Sequence, residues 1–382
     1  MTREGIHYLD VGIFSHILSG RNEMTIHEIY AKLLKARTPS DFFGKVANTA
    51  ELNKVYRTYA KQVHPDVAKN KKDEYIASEA FTLLSKLYSE AEKEFEKGLY
   101  GVTDPIILYK NMNPLFEMKV SGNNVSFYEN LFEGEVAYIF RGVEHDEKTG
   151  SDFIAYMKMA IDAADNELID KEYEILKKLQ HRSLPYAENK IKVNGCSSII
   201  MREVKGITAL ELKQQYPNGV PASHVMWMLE RLFSVIGYLH SNMIIHGNLK
   251  PENIIIHKEL HNVTPCGMCF AITNPRGEII DKSICKYMIV NDDYTAPEIN
   301  KDTEPMPSSD IYSIGKLAIY LLGGNLKSNG MPISIDARVR DFIRKLVAEK
   351  PKDRPMDAWK LWSELIKLRT EVYGSDRFVP FD

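Results

Sequence analysis

The stretch "IIHGNLKPENIII", from Ile244 to Ile256, decides how the rest of the chain is read. Isoleucines flank a polar loop that carries His246, Asn248, Lys250 and Asn253. The carboxamide of Asn248 donates and accepts hydrogen bonds but has no basic site that could take a proton. Just upstream, "GYLHSNM" reads as the end of a helix running into this loop.

Around that loop the bulk numbers are ordinary. The chain has 382 residues, of which 44% are apolar and 26% charged, the composition of a soluble globular protein with two or three domains. A net charge of −3 gives no reason to expect a nucleic-acid partner. The longest apolar run, "IYSIGKLAIYLLGG", is too short and interrupted to cross a bilayer, and "MTREGIHYLDVGIFSHILSG" has no sustained apolar core of a secretory signal. Four cysteines in this length form no disulfide framework, so a cytoplasmic location without membrane contact is expected.

The front of the chain has helical period. Leu52, Val55, Tyr56, Tyr59, Ala60 and Val63 share one face, with Asn48 or Thr49 placed to cap the start. Pro65 stops that helix and pushes His64 out of helical geometry. A second run follows, with Ala77, Ala80, Phe81, Leu84, Leu87, Tyr88, Ala91 and Phe95 on one face, so an antiparallel hairpin is expected. Lys54, Arg57 and Lys61 lie on the outward face of the first helix, and Lys69, Lys71 and Lys72 follow the turn.

A basic helix ending in His64-Pro65-Asp66, then a helix bearing "EAFTLLSKLY", resembles a J-domain, the DnaJ-type co-chaperone module, over residues 38–98. The resemblance implies that Lys54, Arg57 and Lys61 dock a DnaK-class heat-shock chaperone and that His64, Pro65 and Asp66 stimulate its ATP hydrolysis. Residues 1–37 are read as an N-terminal helical extension with a helix near "MTIHEIYAKLL", and 99–124 as a connector.

From residue 125 to 370 the chain resembles a protein kinase domain, with 371–382 as a tail. The expected fold is therefore multidomain: an all-α J-domain hairpin, then an α+β bilobal protein-kinase-like fold with an antiparallel-sheet small lobe and a mainly helical large lobe. Several motifs occur in the family's order. "FIAYMK" ends in Lys158, matching the lysine that pairs the nucleotide phosphates, and "EYEILKKLQH" supplies Glu172 as its helix partner. "IIMREVKG" resembles the hinge, with Met201 as gatekeeper and Glu203 and Val204 offering backbone groups to a purine. "YTAPEI", "SDIYSIG" and "KPKDRP" bring Glu298, Asp310 and Arg354; the resemblance implies that Glu298 and Arg354 form a buried ion pair and that Asp310 holds the catalytic-loop backbone.

The loop of the opening stretch then has a defined place. In the H-R-D-L-x-x-x-N pattern the aspartate is the catalytic base, and here that position is Asn248, after Gly247. Loss of a general base typically costs about 10²–10⁴ in rate. His246, Lys250 and Asn253 remain. The D-F-G aspartate, which binds Mg²⁺, falls on Cys266 or Gly267, neither of which carries the hard oxygen ligand Mg²⁺ prefers. The phosphate-covering loop keeps Gly134 alone, with Phe132 and Ala137 where the other glycines belong. This pattern is that of a pseudokinase. Lys158 and Glu172 favour ATP binding, the missing aspartate and glycines oppose it, and no metal ligand stands out.

Three rival readings are kept. Asp281, in "RGEIIDKSI", could bind Mg²⁺ after a long insertion and leave an active serine/threonine kinase. Cys266 and Cys269 have C-x-x-C spacing, with His261 and Cys285 as the nearest further ligands, although two small residues in a buried strand fit "MCFAI" as well. A non-enzymatic interaction scaffold is the third. The leading expectation is a co-chaperone whose kinase-shaped domain binds a protein client or a ligand, tethering raising the local chaperone concentration.

Overall fold

Helix α3, Thr49–Val63, starts where Asn48 caps it: Asn48 Oδ1 accepts the Glu51 N–H at 2.9 Å. It ends at His64, whose extended backbone leads into a 3₁₀ turn, Pro65–Val67. Helix α4, Lys71–Glu96, returns alongside it. Tyr56 stacks on Tyr88 at 4.2 Å between ring centroids, while His64 meets Phe81 edge-on at 5.5 Å. Partner numbers fall as α3 numbers rise, so the pair is antiparallel. This is a computed structural model, and it describes residues 24–36, 38–67, 71–275, 293–299, 305–374 and 381. Lys69, Asp281 and Cys285 lie outside the described residues.

The chain divides into two units, residues 1–111 and 112–382. The front unit includes more than the hairpin. Helix α1, Ile26–Lys35, buries Ile29 and Leu33 in the same core as Leu52, Val63 and Leu84, and helix α2, Pro39–Phe43, adds Phe42 and Phe43. Lys32 on α1 donates to the Phe42 carbonyl at 2.8 Å and lies over the rings of Phe42 and Tyr59. α1 therefore shares the core of the helix pair.

The stretch 99–124 is not a simple connector either. It holds helix α5, Pro105–Lys110, and then strand β1, Phe116–Val120, which opens the second unit. A six-stranded sheet follows, built from β1, β2 Asn123–Glu133, β3 Ala137–Asp146, β4 Ser151–Ala160, β5 Ala187–Val193 and β6 Cys196–Arg202. All pairs are antiparallel, in the order β1-β2-β3-β4-β6-β5. Strand alternation puts Ala155 and Met157 on one face, packed with Val125, Phe127, Phe140 and Ile200. Tyr156 and Lys158 face the other way. β2 shifts register between Phe127 and Glu129, and there a Cβ on Gly142 would come within 2.1 Å of the Ser126 carbonyl oxygen, so only glycine fits.

Helix α6, Asn166–Lys178, lies against β6. The larger part of the unit is helical: α7 Ala209–Gln215, α8 Ala222–Ser241, α9 Pro307–Leu321, α10 Ala337–Leu346 and α11 Ala358–Tyr373. α8 is buried along nearly its whole length, and α11 crosses it with Trp359 seated on Gly237. α11 runs to Tyr373, past the expected start of the tail at 371, and Phe381 stacks on His224 of α8 at 4.0 Å. Between α8 and α9 lie short strands: β7 Ile244–Ile245, a β8–β9 hairpin of Ile254–His257 and Asn262–Pro265, and β10 Ile272–Thr273. Among the described residues, no helix is long and apolar enough to cross a membrane.

Candidate functional site

Lys158 on β4 and Glu172 on α6 meet at 2.5 Å, with side chains 8% and 3% exposed. Burial works against the charge on Lys158, but the Glu172 carboxylate beside it outweighs that and holds its pKa above the ordinary value. The other Glu172 oxygen, Oε1, accepts the backbone N–H of Met268 at 3.0 Å. One carboxylate thus joins the small-lobe lysine to the "CGMC" segment, and the expected pair is present.

The large-lobe frame also forms. Arg354 and Glu298 make a two-pronged ion pair, with Nη1 donating to Oε1 at 2.9 Å and Nη2 to Oε2. Asp310 at the start of α9 accepts the backbone N–H groups of His246 and Gly247, each at 2.9 Å, and also faces His240 Nε2 at 2.9 Å. Burial pushes the His246 imidazole pKa down, which keeps the ring neutral inside the lobe.

Inside this frame the loop side chains of Asn248 and Asn253 are amides. Asn248 donates through Nδ2 to the Gly267 carbonyl at 3.3 Å, and Asn253 donates through Nδ2 to the Asn248 carbonyl at 3.0 Å. The amides tie the loop to itself. Lys250, half-buried, leads into the 3₁₀ turn Pro251–Asn253. Of the two candidates for the metal position, Gly267 lies against the Asn253 amide and is followed by Met268, whose N–H reaches Glu172. A Cβ on Gly267 would come within 3.1 Å of the Asn253 amide, on a left-handed backbone with φ +78°. Gly267→Ala is therefore expected to cost roughly 1–2 kcal/mol, read as a lowered urea midpoint; an unchanged midpoint would refute the crowding. Among the described residues no group of three or more His, Cys, Asp and Glu side chains is placed to hold a metal ion.

The glycine loop is tight. Gly134 donates its N–H to the Ala137 carbonyl at 2.9 Å, so that group is spent within the hairpin rather than offered to a phosphate, and Phe132 is 56% exposed beside it. At the hinge, Glu203 accepts from Arg141 Nη2 at 3.1 Å, and Val204 follows. Sequence reasoning missed Arg141 and Tyr156, which Arg141 overlies at 5.8 Å; counting two residues back from Lys158 in "AYMK" was the available signal.

Burial pushes Cys266 up to about 12 and raises Cys269 as well, so both stay protonated at neutral pH. His261 stacks on Trp227 at 4.3 Å instead of joining them.

In the front unit, His64 and Asp66 have side chains 48% and 86% exposed, and the Asp66 N–H reaches His64 Nδ1 at 3.3 Å. Lys54, Arg57 and Lys61 are exposed on α3 and line an open groove of about 840 Å³ that also reaches Tyr88 and Glu92.

The antiparallel sheet carrying Lys158, the helix carrying Glu172 and the helical lobe built on Asp310 and Arg354 define a protein kinase fold. The chain belongs to the protein kinase domain family, which matches residues 126–332. It is similar to the bovine inhibitor of nuclear factor kappa-B kinase subunit beta, at 24% identity over 51% of this chain and 27% of that protein. It is also similar to a Dictyostelium discoideum protein described as a probable serine/threonine-protein kinase, at 27% identity over 52% and 38%. Serine/threonine-protein kinase PknG of Mycolicibacterium smegmatis matches at 28% identity over 49% and 24%. The chain thus spans only a quarter to two-fifths of these relatives.

Proposed function

We propose that this chain is a J-domain co-chaperone: the front unit stimulates a DnaK-class chaperone, and the kinase-family unit binds a protein client or ligand without transferring phosphate. The observation that carries the first half is the exposed His64-Pro65-Asp66 turn closing an antiparallel helix pair whose first helix presents Lys54, Arg57 and Lys61 to an open groove. A cationic groove attracts an acidic partner surface and speeds its encounter. Supporting the second half are Asn248 in the base position, Gly267 in the metal position and a glycine-loop N–H spent internally.

The test has two arms on the full chain. Added to a DnaK-class chaperone, it accelerates ATP turnover, and His64→Gln removes the acceleration while the helical content stays unchanged. Equal turnover with both proteins would defeat the co-chaperone reading. With labelled ATP and Mg²⁺, no label reaches the chain or a generic protein substrate. Label transfer that disappears in Lys158→Ala would instead establish an active kinase, the reading favoured by family membership alone.

A further inference from the structure

The side chains that roof the cleft near the hinge form one row across four strands. Glu129 of β2 pairs with Arg141 of β3, Arg141 with Tyr156 of β4, and Tyr156 with Met201 of β6. Tyr156 precedes Lys158 by two residues, so strand period sends both side chains to the same face, the cleft side. In the V-A-I-K pattern the residue two before the lysine is alanine. Here a methyl is replaced by a phenol ring, at the row next to the hinge.

That ring is held. The Arg141 guanidinium stands 5.8 Å from its centre, and Arg141 Nη2 is bound to the hinge residue Glu203 at 3.1 Å. Burial pushes the Tyr156 phenol up, and its charged or ionisable neighbours are Arg141 and Glu129 from the roof, Glu203 from the hinge and Cys266 from the floor. Tyr156 thus shares the cleft face with Lys158 and is tied through Arg141 to the hinge residue Glu203.

We propose that Tyr156, steadied by the Arg141–Glu203 bridge, fills the purine seat and closes the cleft to adenine nucleotides. The inference rests on the reading that this unit transfers no phosphate, and it names the group that keeps the nucleotide out. Lys158 and Glu172 then persist as a structural ion pair, joining β4 to α6 and, through Met268, to the large lobe. A ring in that seat could otherwise serve as a stacking platform for a bound base, and the wild-type protein distinguishes the two.

Equilibrium dialysis of the full chain with labelled adenosine and labelled ADP, with and without Mg²⁺, tests it. The wild type is expected to show no saturable binding up to about 1 mM, and Tyr156→Ala to bind both ligands at least about tenfold more tightly than that limit. Tyr156→Phe keeps the ring and stays closed, and Tyr156→Val provides a β-branched second opening variant suited to a strand. Saturable adenosine binding by the wild type overturns the proposal without reference to any variant. So does failure of a folded opening variant, judged by its tryptophan emission, to bind. Wild-type binding without label transfer would sink this inference alone, whereas Lys158-dependent transfer would sink the impaired-kinase reading.

Discussion

Arg354→Ala is expected to remove about 3–5 kcal/mol from the kinase-family unit, because it leaves the Glu298 carboxylate buried without its cation. The guanidinium is more than half of a pair. Nη1 also donates to the Ser308 carbonyl at 2.9 Å, Nη2 reaches the Glu349 carbonyl at 3.2 Å, and the planar group lies over the Tyr312 ring at 5.1 Å. Glu298 has a further donor in Ser309 Oγ at 2.7 Å, which is too little to solvate a full charge. Since a domain's net stability is about 5–15 kcal/mol, the loss is a large fraction of the whole. Urea unfolding followed by tryptophan emission reads this unit selectively, because Trp227, Trp359 and Trp362 are the chain's 3 tryptophans and all lie in it. The double variant Glu298→Gln/Arg354→Ala should be less destabilised than the sum of the two single changes, since each single change includes the cost of an orphaned partner. A loss under about 1 kcal/mol for Arg354→Ala would show that the pair is dispensable.

What could be read in the sequence was whatever local chemistry fixes. Asn48 caps α3 and Pro65 ends it wherever the helix packs, and the apolar stripes of α3 and α4 find each other because they are adjacent in sequence. Lys158, Glu172, Glu298, Asp310 and Arg354 were legible through the resemblance to protein kinase motifs, and the structure pairs Lys158 with Glu172 and Arg354 with Glu298. Non-local pairing was not legible. Nothing in "FEMKV" says that β1 adds a sixth strand at the edge beside β2, and nothing in "IHEIYAKLL" says that Lys32 reaches the Phe42 carbonyl. The Arg141–Tyr156–Met201 row exists only once three strands are in register; a one-residue slip would send Tyr156 to the opposite face. The contact of the Met268 N–H with Glu172 was likewise not legible in "CGMC".

Asp310→Asn is expected to be the second severe change, and it explains why the loop of His246 to Asn253 persists without its base. The Asp310 carboxylate accepts from the His246 and Gly247 N–H groups and from His240 Nε2, which therefore carries the ring proton. Asparagine offers one oxygen and turns a donor toward the rest, leaving at least one buried N–H facing another N–H. Each such group costs about 1–3 kcal/mol, and the lost charge assistance adds to it. Burial raises the Asp310 pKa, but the hydrogen bonds from His240 and the Gly247 N–H outweigh it and hold the value below that of an ordinary aspartate. With the folded pKa depressed, the stabilisation is complete above the unfolded carboxyl's value of about 3.9 and is lost as pH falls through the lower folded value. The gap in urea midpoint between wild type and Asp310→Asn should therefore be wide at neutral pH and narrow in acid, below about pH 4. A gap that stayed constant across that window would mean that Asp310 does not hold the loop through its charge, and the loop's retention would need a cause other than the architecture of the large lobe.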